Sequence, residues 1–250
     1  MKIGFIGLGN IGSKLAGSLC RNGFELFVRD LNRDIAKPLI EQGAVWGHSP
    51  REIAEQVDMV ITCLPNPAAS AEVMEADDGI LAGLTPGKLW AEMSTTDEVE
   101  VKRLGQRVID NGAEPIDCPV SGGCHRAATG NISIFVGAER PTFEKAFPVI
   151  RAMGRQILHT GPLGSASILK VVTNYLASVN LAAIGEAMMT ASCAGIDLST
   201  TYEAIRISSG NSFVHETEGQ VILNGSRDIN FTLDLVVKDM TLFQAVADRS

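Results

Sequence analysis

Lys170 and Asn174 stand four residues apart in a stretch that is otherwise almost wholly apolar. Ile168, Val171, Val172, Tyr175, Leu176 and Val179 recur around them at helical spacing, and Ala177, Leu181, Ala182 and Ala183 leave the other sides small or apolar. The pattern predicts one long helix from about Ser165, its N-cap, to about Gly195, buried nearly all round. Lysine is seldom buried unless it is paired or working, and Asn174 lies one turn further along the same face, close enough to share a ligand. An amine in apolar surroundings releases its proton more readily than an exposed one, which suits proton transfer near neutral pH. The competing reading is a lysine that snorkels to solvent beside a structural asparagine.

A second constellation is Gly7-Leu8-Gly9-Asn10-Ile11-Gly12, directly after the apolar run from Lys2. Glycines at this G-x-G-x-x-G spacing let a strand turn tightly into a helix, let the backbone approach a pyrophosphate, and aim the helix N-terminus at the anion. Glu25–Val28 then reads as a second strand, with Asp30 just past its end where an acid can accept from ribose hydroxyls. A carboxylate there repels the extra phosphate of NADP, so NAD is the expected cofactor, although Arg29 and Arg33 flank Asp30 and could attract that phosphate. A third constellation, Ser121-Gly122-Gly123, follows a strand end and turns several N–H groups toward one point, a nest suited to a carboxylate.

The elements that must hold these groups alternate between strand and helix, the pattern of a parallel sheet covered by helices. A helix over about Ile11–Asn22, another over about Arg33–Glu41 and a short strand near Val45 lead to Ser49–Glu52, a capping box with Pro50 at the first helical position. Met59–Leu64 is a buried strand stopped by Pro65 and Pro67 at the edge where open α/β sheets bind ligands. Leu89–Met93 is the next strand, and Ser94, Thr95 and Thr96 place hydroxyls at a helix start, either as caps alone or as caps that also reach a cofactor. Ala113–Ile116, Ile132–Val136 and Gln156–His159 complete the strands, with a helix over Pro141–Met153 between the last two. Two domains follow, a dinucleotide-binding domain over 1–162 and a helical one over 163–250.

Composition narrows the function classes. A net charge of -8 without a run of Lys and Arg excludes a nucleic-acid backbone as partner. Five scattered cysteines show neither metal-ligand spacing nor a disulfide framework, which fits a reducing compartment, so the expected location is the cytoplasm and no metal is expected. The start of the chain lacks the features of a signal peptide, and no stretch is read as apolar for long enough to span a bilayer.

In their order these residues resemble the β-hydroxyacid dehydrogenases, a family that includes 3-hydroxyisobutyrate dehydrogenase, tartronate semialdehyde reductase and, more distantly, 6-phosphogluconate dehydrogenase. The resemblance covers nearly the whole chain. It rests on Gly7–Gly12, on Leu64-Pro65, on Met93-Ser94-Thr95, on Asp117-Cys118-Pro119-Val120-Ser121-Gly122-Gly123, on Gly161-Pro162-Leu163-Gly164 through Lys170 and Asn174, and on Val237-Lys238-Asp239-Met240. It implies an α/β fold in which a Rossmann-type domain precedes an all-helical domain built on the long interdomain helix. It further implies that Lys170 is the general acid and base, with Asn174 its partner in holding substrate. Ser121, Gly122 and Gly123 would anchor a substrate carboxylate, and Leu64, Pro65, Thr95 and Lys238 would line the cofactor site. The implied reaction interconverts a small β-hydroxy acid and its semialdehyde with NAD(P). Ala166 and Cys118 depart from the residues usual in the family, both remaining small. Ser250 falls inside the helix that begins near Lys238, where family members continue through further helices that close the cleft and complete a dimer. A homodimer or homotetramer is expected because the long helix is apolar on more faces than one small domain can cover.

Two rival readings are a nicotinamide-binding redox sensor, which would not need Lys170, Asn174 and the nest together, and a decarboxylating sugar-acid phosphate dehydrogenase, which would need more cations and a larger helical domain. His125 and Arg126 either reach a second polar group on the substrate or lie on the surface, and His215 is expected to be structural.

Overall fold

The computed structural model describes residues 1–226 and 231–250. It divides into two compact units, 1–170 and 171–250, with the division falling inside one long helix.

The first unit is built from β1 (Lys2–Ile6), α1 (Gly12–Arg21), β2 (Glu25–Arg29), α2 (Lys37–Ile40), β3 (Val45–Trp46), α3 (Pro50–Gln56), β4 (Met59–Thr62), α4 (Pro67–Glu75), α5 (Ile80–Gly83), β5 (Leu89–Glu92) and α6 (Glu98–Asp110). It continues with β6 (Glu114–Asp117), β7 (Val120–Ser121), α7 (Gly123–Ala128), β8 (Ile132–Gly137), α8 (Arg140–Met153), β9 (Gly154–Gly161) and the first turns of α9 (Ser165–Cys193). The sheet order is β3-β2-β1-β4-β5-β6-β8-β7, with β9 paired to β8. Strands β1 to β6 are parallel, β8 runs antiparallel to β6 and β7, and β9 lies parallel to β8.

The central strands read as unbroken apolar runs because both faces of the sheet are covered. Ile3, Phe5, Ile61, Ala91 and Ile116 pack against Leu15 and Leu19 of α1 and Phe143, Ala146 and Ile150 of α8. Val60 and Trp90 point the other way, onto Ile53 of α3, Met74 of α4 and Leu104 and Val108 of α6. The expected cap at Ser49 forms, its Oγ accepting from Glu52 N at 3.1 Å; Glu52 Oε2 reaches back to His48 N at 2.7 Å rather than to Ser49. At α6 the expectation fails. Asp97 is the N-cap and accepts from Val99 N at 2.7 Å, leaving the Ser94 hydroxyl for another task.

The second unit holds the rest of α9 with α10 (Leu198–Arg206), α11 (Phe213–Asn224) and α12 (Leu233–Arg249). Ile184 and Met188 of α9 pack with Tyr202 in a small core, and His215 is structural: wholly buried, it stacks on Tyr202 at 4.4 Å with Nε2 bonded to Tyr202 O at 2.9 Å. Tyr175 stacks on Phe243 of α12 at 4.1 Å.

Helix α9 corrects two expectations. It is not buried all round, since Leu169, Val172, Tyr175, Leu176, Val179, Leu181 and Met189 are exposed. Periodicity reports how apolar each side is, whereas cover depends on what the rest of the chain lays against it. At 29 residues, with a window of mean hydropathy 1.4, α9 is also long and apolar enough to cross a membrane, contrary to the reading that no such stretch exists.

Candidate active site

The six parallel strands end at one edge of the sheet, and their following loops carry most of the predicted site. Beyond β1, Gly7 takes φ 96°, and any side chain on it would run into Cys63 O, while one on Gly12 would run into Gly7 O. The turn therefore closes tightly against β4 and sets α1 pointing away from the edge. Gly7 N donates to Arg29 O at 3.0 Å, and Leu8 N donates to Asp30 Oδ2 at 2.7 Å, so Asp30 fixes the glycine turn onto β2. Its other oxygen accepts from Asn32 N at 2.9 Å. Gly9 and Asn10 are exposed at the start of α1, whose first turn holds no acidic residue, and nothing lies within 4 Å of a Cβ built on Gly9. These features fit a dinucleotide: open backbone at a helix N-terminus for the pyrophosphate and a carboxylate beside it for the ribose.

Leu64 and Pro65 follow β4, half-buried and exposed respectively. Leu64 N donates to Ser94 Oγ at 2.7 Å, and Ser94 N donates to Glu92 Oε1 at 2.8 Å. Thus Glu92, 1% exposed at the end of β5, supports the loop after β4 through Ser94. Burial pushes the Glu92 carboxyl above the ordinary glutamate value, against the pull of Ser94 and its other hydrogen-bond donors. The sequence reading passed over Glu92, although a lone charge in the buried strand Leu89–Glu92 is a readable signal. Thr95 is half-buried just beyond.

Beyond β6 the nest is a junction between β7 and α7, two elements the sequence reading did not resolve. Ser121 ends β7, Gly122 takes φ 126° and Gly123 takes φ 77° with open space around it. His125 is exposed, while the stem of Arg126 folds back over Gly122, its Cδ 2.9 Å from where a Cβ would stand.

Lys170 is 8% exposed, the sole buried lysine or arginine among the described residues. It belongs to the same unit as the glycine turn, Asp30, Leu64, Pro65, Thr95 and Ser121–Gly123; Asn174 and Lys238 belong to the other. Those two are gathered by Asp239, which sequence reasoning gave no role. Its Oδ2 accepts from Asn174 Nδ2 at 2.6 Å, its Oδ1 lies 2.8 Å from Lys238 Nζ, and it is 1% exposed. An acid following Lys238 inside an apolar helix was the available signal. The N-cap expected of Ser165 is also corrected: Ser165 is the first helical residue, and its Oγ pairs with Thr160 Oγ1 at 2.7 Å.

Comparison with known proteins adds to this geometry. The family described as the NAD binding domain of 6-phosphogluconate dehydrogenase matches residues 2–161, and that described as NAD-binding of NADP-dependent 3-hydroxyisobutyrate dehydrogenase matches residues 164–250. The chain is 32% identical to 2-(hydroxymethyl)glutarate dehydrogenase of Eubacterium barkeri over 97% of its own length and 81% of the relative's. It is 34% identical to the NAD-dependent L-serine dehydrogenase of Pseudomonas aeruginosa, over 100% and 86%. Among solved structures, Psf3 in complex with NADP+ and 2-OPP superposes with a TM-score of 0.92 at 27% identity, over 97% of this chain and 86% of that one.

The buried Glu92 sets a pH dependence. Its folded-state pKa lies above the unfolded value, so past the ordinary glutamate range the folded chain keeps a proton that the unfolded chain has lost, and stability falls as pH rises across that window. Glu92→Gln keeps the acceptor for Ser94 N and does not titrate. Its apparent Tm should exceed that of wild type at pH 8, and the gain should shrink as pH falls into the ordinary glutamate range. A lower Tm at pH 8 for the glutamine variant in thermal melts would mean that Glu92 works as an ion.

Proposed function

This chain belongs to the β-hydroxyacid dehydrogenase family, and we propose that it interconverts a small β-hydroxy acid and its semialdehyde with Lys170 as the proton-transfer group. It is an NAD(P)-dependent hydroxy-acid oxidoreductase acting on CH–OH donors. The observation that carries the role of Lys170 is its burial, since a lysine taken out of water on a catalytic domain is an amine prepared to change protonation state. In oxidation Lys170 takes the proton from the substrate hydroxyl; in reduction its ammonium returns that proton to the carbonyl oxygen. The bound nicotinamide accepts or supplies the hydride. The N–H groups around Ser121, Gly122 and Gly123 hold the substrate carboxylate, and Asn174, oriented by Asp239, holds its other end. The Gly7–Gly12 turn, Asp30, Leu64, Pro65, Thr95 and Lys238 hold the cofactor.

NAD is the proposed cofactor in preference to NADP. Asp30, just past β2, places a carboxylate where the extra phosphate would sit, and Arg29 is already engaged, its Nη1 donating to His48 O at 2.6 Å. Arg33 lies 5.6 Å from the Trp46 ring centroid, stacked rather than extended. The exposed apolar residues of α9 are, in this reading, covered by a second copy of the chain.

Assays of small hydroxy acids and semialdehydes with both cofactors test these statements together. Lys170→Ala should leave NAD binding nearly unchanged and lower kcat by about 10²–10⁴. Lys170→Arg should not rescue it, because arginine keeps its proton; near wild-type turnover by the arginine variant would reduce Lys170 to an electrostatic anchor. Wild type should show a higher kcat/KM with NAD than with NADP, and Asp30→Ala should narrow the gap, whereas a wild-type preference for NADP would overturn the assignment. Light scattering should find a dimer or larger assembly; a fully active monomer would rule it out.

A further inference from the structure

Asp117 closes β6 directly opposite Glu92 of β5 and is 0% exposed. Its Oδ1 accepts from Gly164 N at 2.8 Å, and its Oδ2 accepts from Ser167 N at 2.7 Å and Ser167 Oγ at 2.9 Å. These backbone donors belong to the start of α9, where a helix leaves N–H groups without intrahelical partners. A cap is normally local; here it comes from a strand 47 and 50 residues earlier in the chain. The opposing Gly137 makes room for it, since a side chain there would strike Asp117 Oδ1. Burial holds the Asp117 carboxyl above the ordinary aspartate value, against the opposing pull of the donors from Gly164 and Ser167. All three bonding groups donate, so the carboxylate is the form they hold, and its charge also opposes the positive end of the helix.

Resting on the reading of Lys170 as the proton-transfer group, we infer that Asp117 is the positioning residue of the reaction. It lies four residues before Ser121, through Cys118, Pro119 and Val120, and it grips α9 at Ser167, three residues before Lys170. One carboxylate therefore ties the strand end that carries the substrate anchor to the helix turn that carries the lysine. Without it, the register between carboxylate anchor and amine is set only by packing, and a displacement of about 1 Å costs on the order of 10² in rate.

The test is Asp117→Asn, with Lys170→Ala measured beside it. The asparagine variant should lose about 10- to 10²-fold in kcat on the best substrate of the hydroxy-acid panel. NADH affinity, read by fluorescence titration, should stay within about twofold, because the glycine turn and Asp30 do not depend on this clamp. The ascending limb of the oxidation pH profile should move to lower pH, since removing a negative charge near Lys170 disfavours its ammonium. Hydrogen exchange in the protein without cofactor should show faster exchange at Gly164 and Ser167. A folded Asp117→Asn protein with wild-type kcat and an unmoved pH limb overturns the inference. Should that variant not fold, Ser167→Ala removes one of the three bonds and keeps the carboxylate. It should lower kcat several-fold with the pH limb unmoved, because the charge stays in place, and a wild-type kcat would be equally decisive against the proposal. If Lys170→Ala keeps its activity, the reading of the lysine fails; if it is inactive while Asp117→Asn is normal, the positioning role alone fails.

Discussion

The hydrogen-bond ladder between parallel strands aligns Arg29, Ile6, Thr62, Glu92 and Asp117 across five neighbouring strands. Parallel pairing leaves one carboxyl edge, and each strand must release its loop there before a helix carries the chain back. The glycine turn, Asp30, Leu64-Pro65, Thr95 and the Ser121–Gly123 nest are thus brought to one edge by topology. Local chemistry then has only to shape each loop. Gly7 closes against Cys63 O, Leu64 N bonds to Ser94, and Gly122 turns β7 into α7.

Three acids stand at or just beyond strand ends on this edge, and their surroundings give them different work. Asp30 is half-exposed and has its two oxygens on Leu8 N and Asn32 N, so it serves the glycine turn while still facing solvent. Glu92 and Asp117 are adjacent in register and both buried, yet Glu92 has an oxygen, Oε2, without a partner among the described residues, whereas both oxygens of Asp117 accept from α9. Burial raises both carboxyls above their ordinary values, and what separates them is that the donors of α9 engage both oxygens of Asp117. Burial also pushes the Cys63 thiol up to about 12 and that of Cys118 well above its usual value, with Glu92 adding to both. Both shifts favour the protonated thiol over the thiolate.

What could be read from the sequence was what neighbouring residues decide together. The strand, glycine turn, helix, strand and acid over Lys2–Asp30 each obey a local rule, and the rules agree, so that segment was legible almost residue by residue. Lys170 was legible because a lysine among apolar residues contradicts its surroundings. The misses share another cause. Asp117 grips residues 47 and 50 positions away, and Asp239 bonds Asn174 across 65, separations at which no local pattern survives. Ser94 was read as a cap because hydroxyls before Asp97 and Glu98 look like one, but its partner is Leu64, 30 residues back. Short elements such as β7 and α7 carry too few residues to show a period.

Helix α9 poses a choice between lipid and protein as the cover for its exposed apolar residues. By length and hydropathy it passes for a membrane span, but its two ends are already committed to protein. Its first turn gives its N–H donors to Asp117 in the first unit, and Ile184 and Met188 near its other end enter the core with Tyr202 in the second. A helix crossing lipid would need apolar residues on every outward face, yet Glu186 is exposed and Lys170 is buried against protein. Moving it into a bilayer would strip the buried Asp117 carboxylate of all three donors and leave it unpaired, a cost no gain from the apolar stripe near Leu176 and Val179 has to meet if a protein surface covers that stripe instead. The same bonds that tie the start of α9 to β6 therefore weigh against a bilayer as the cover for what α9 shows to solvent.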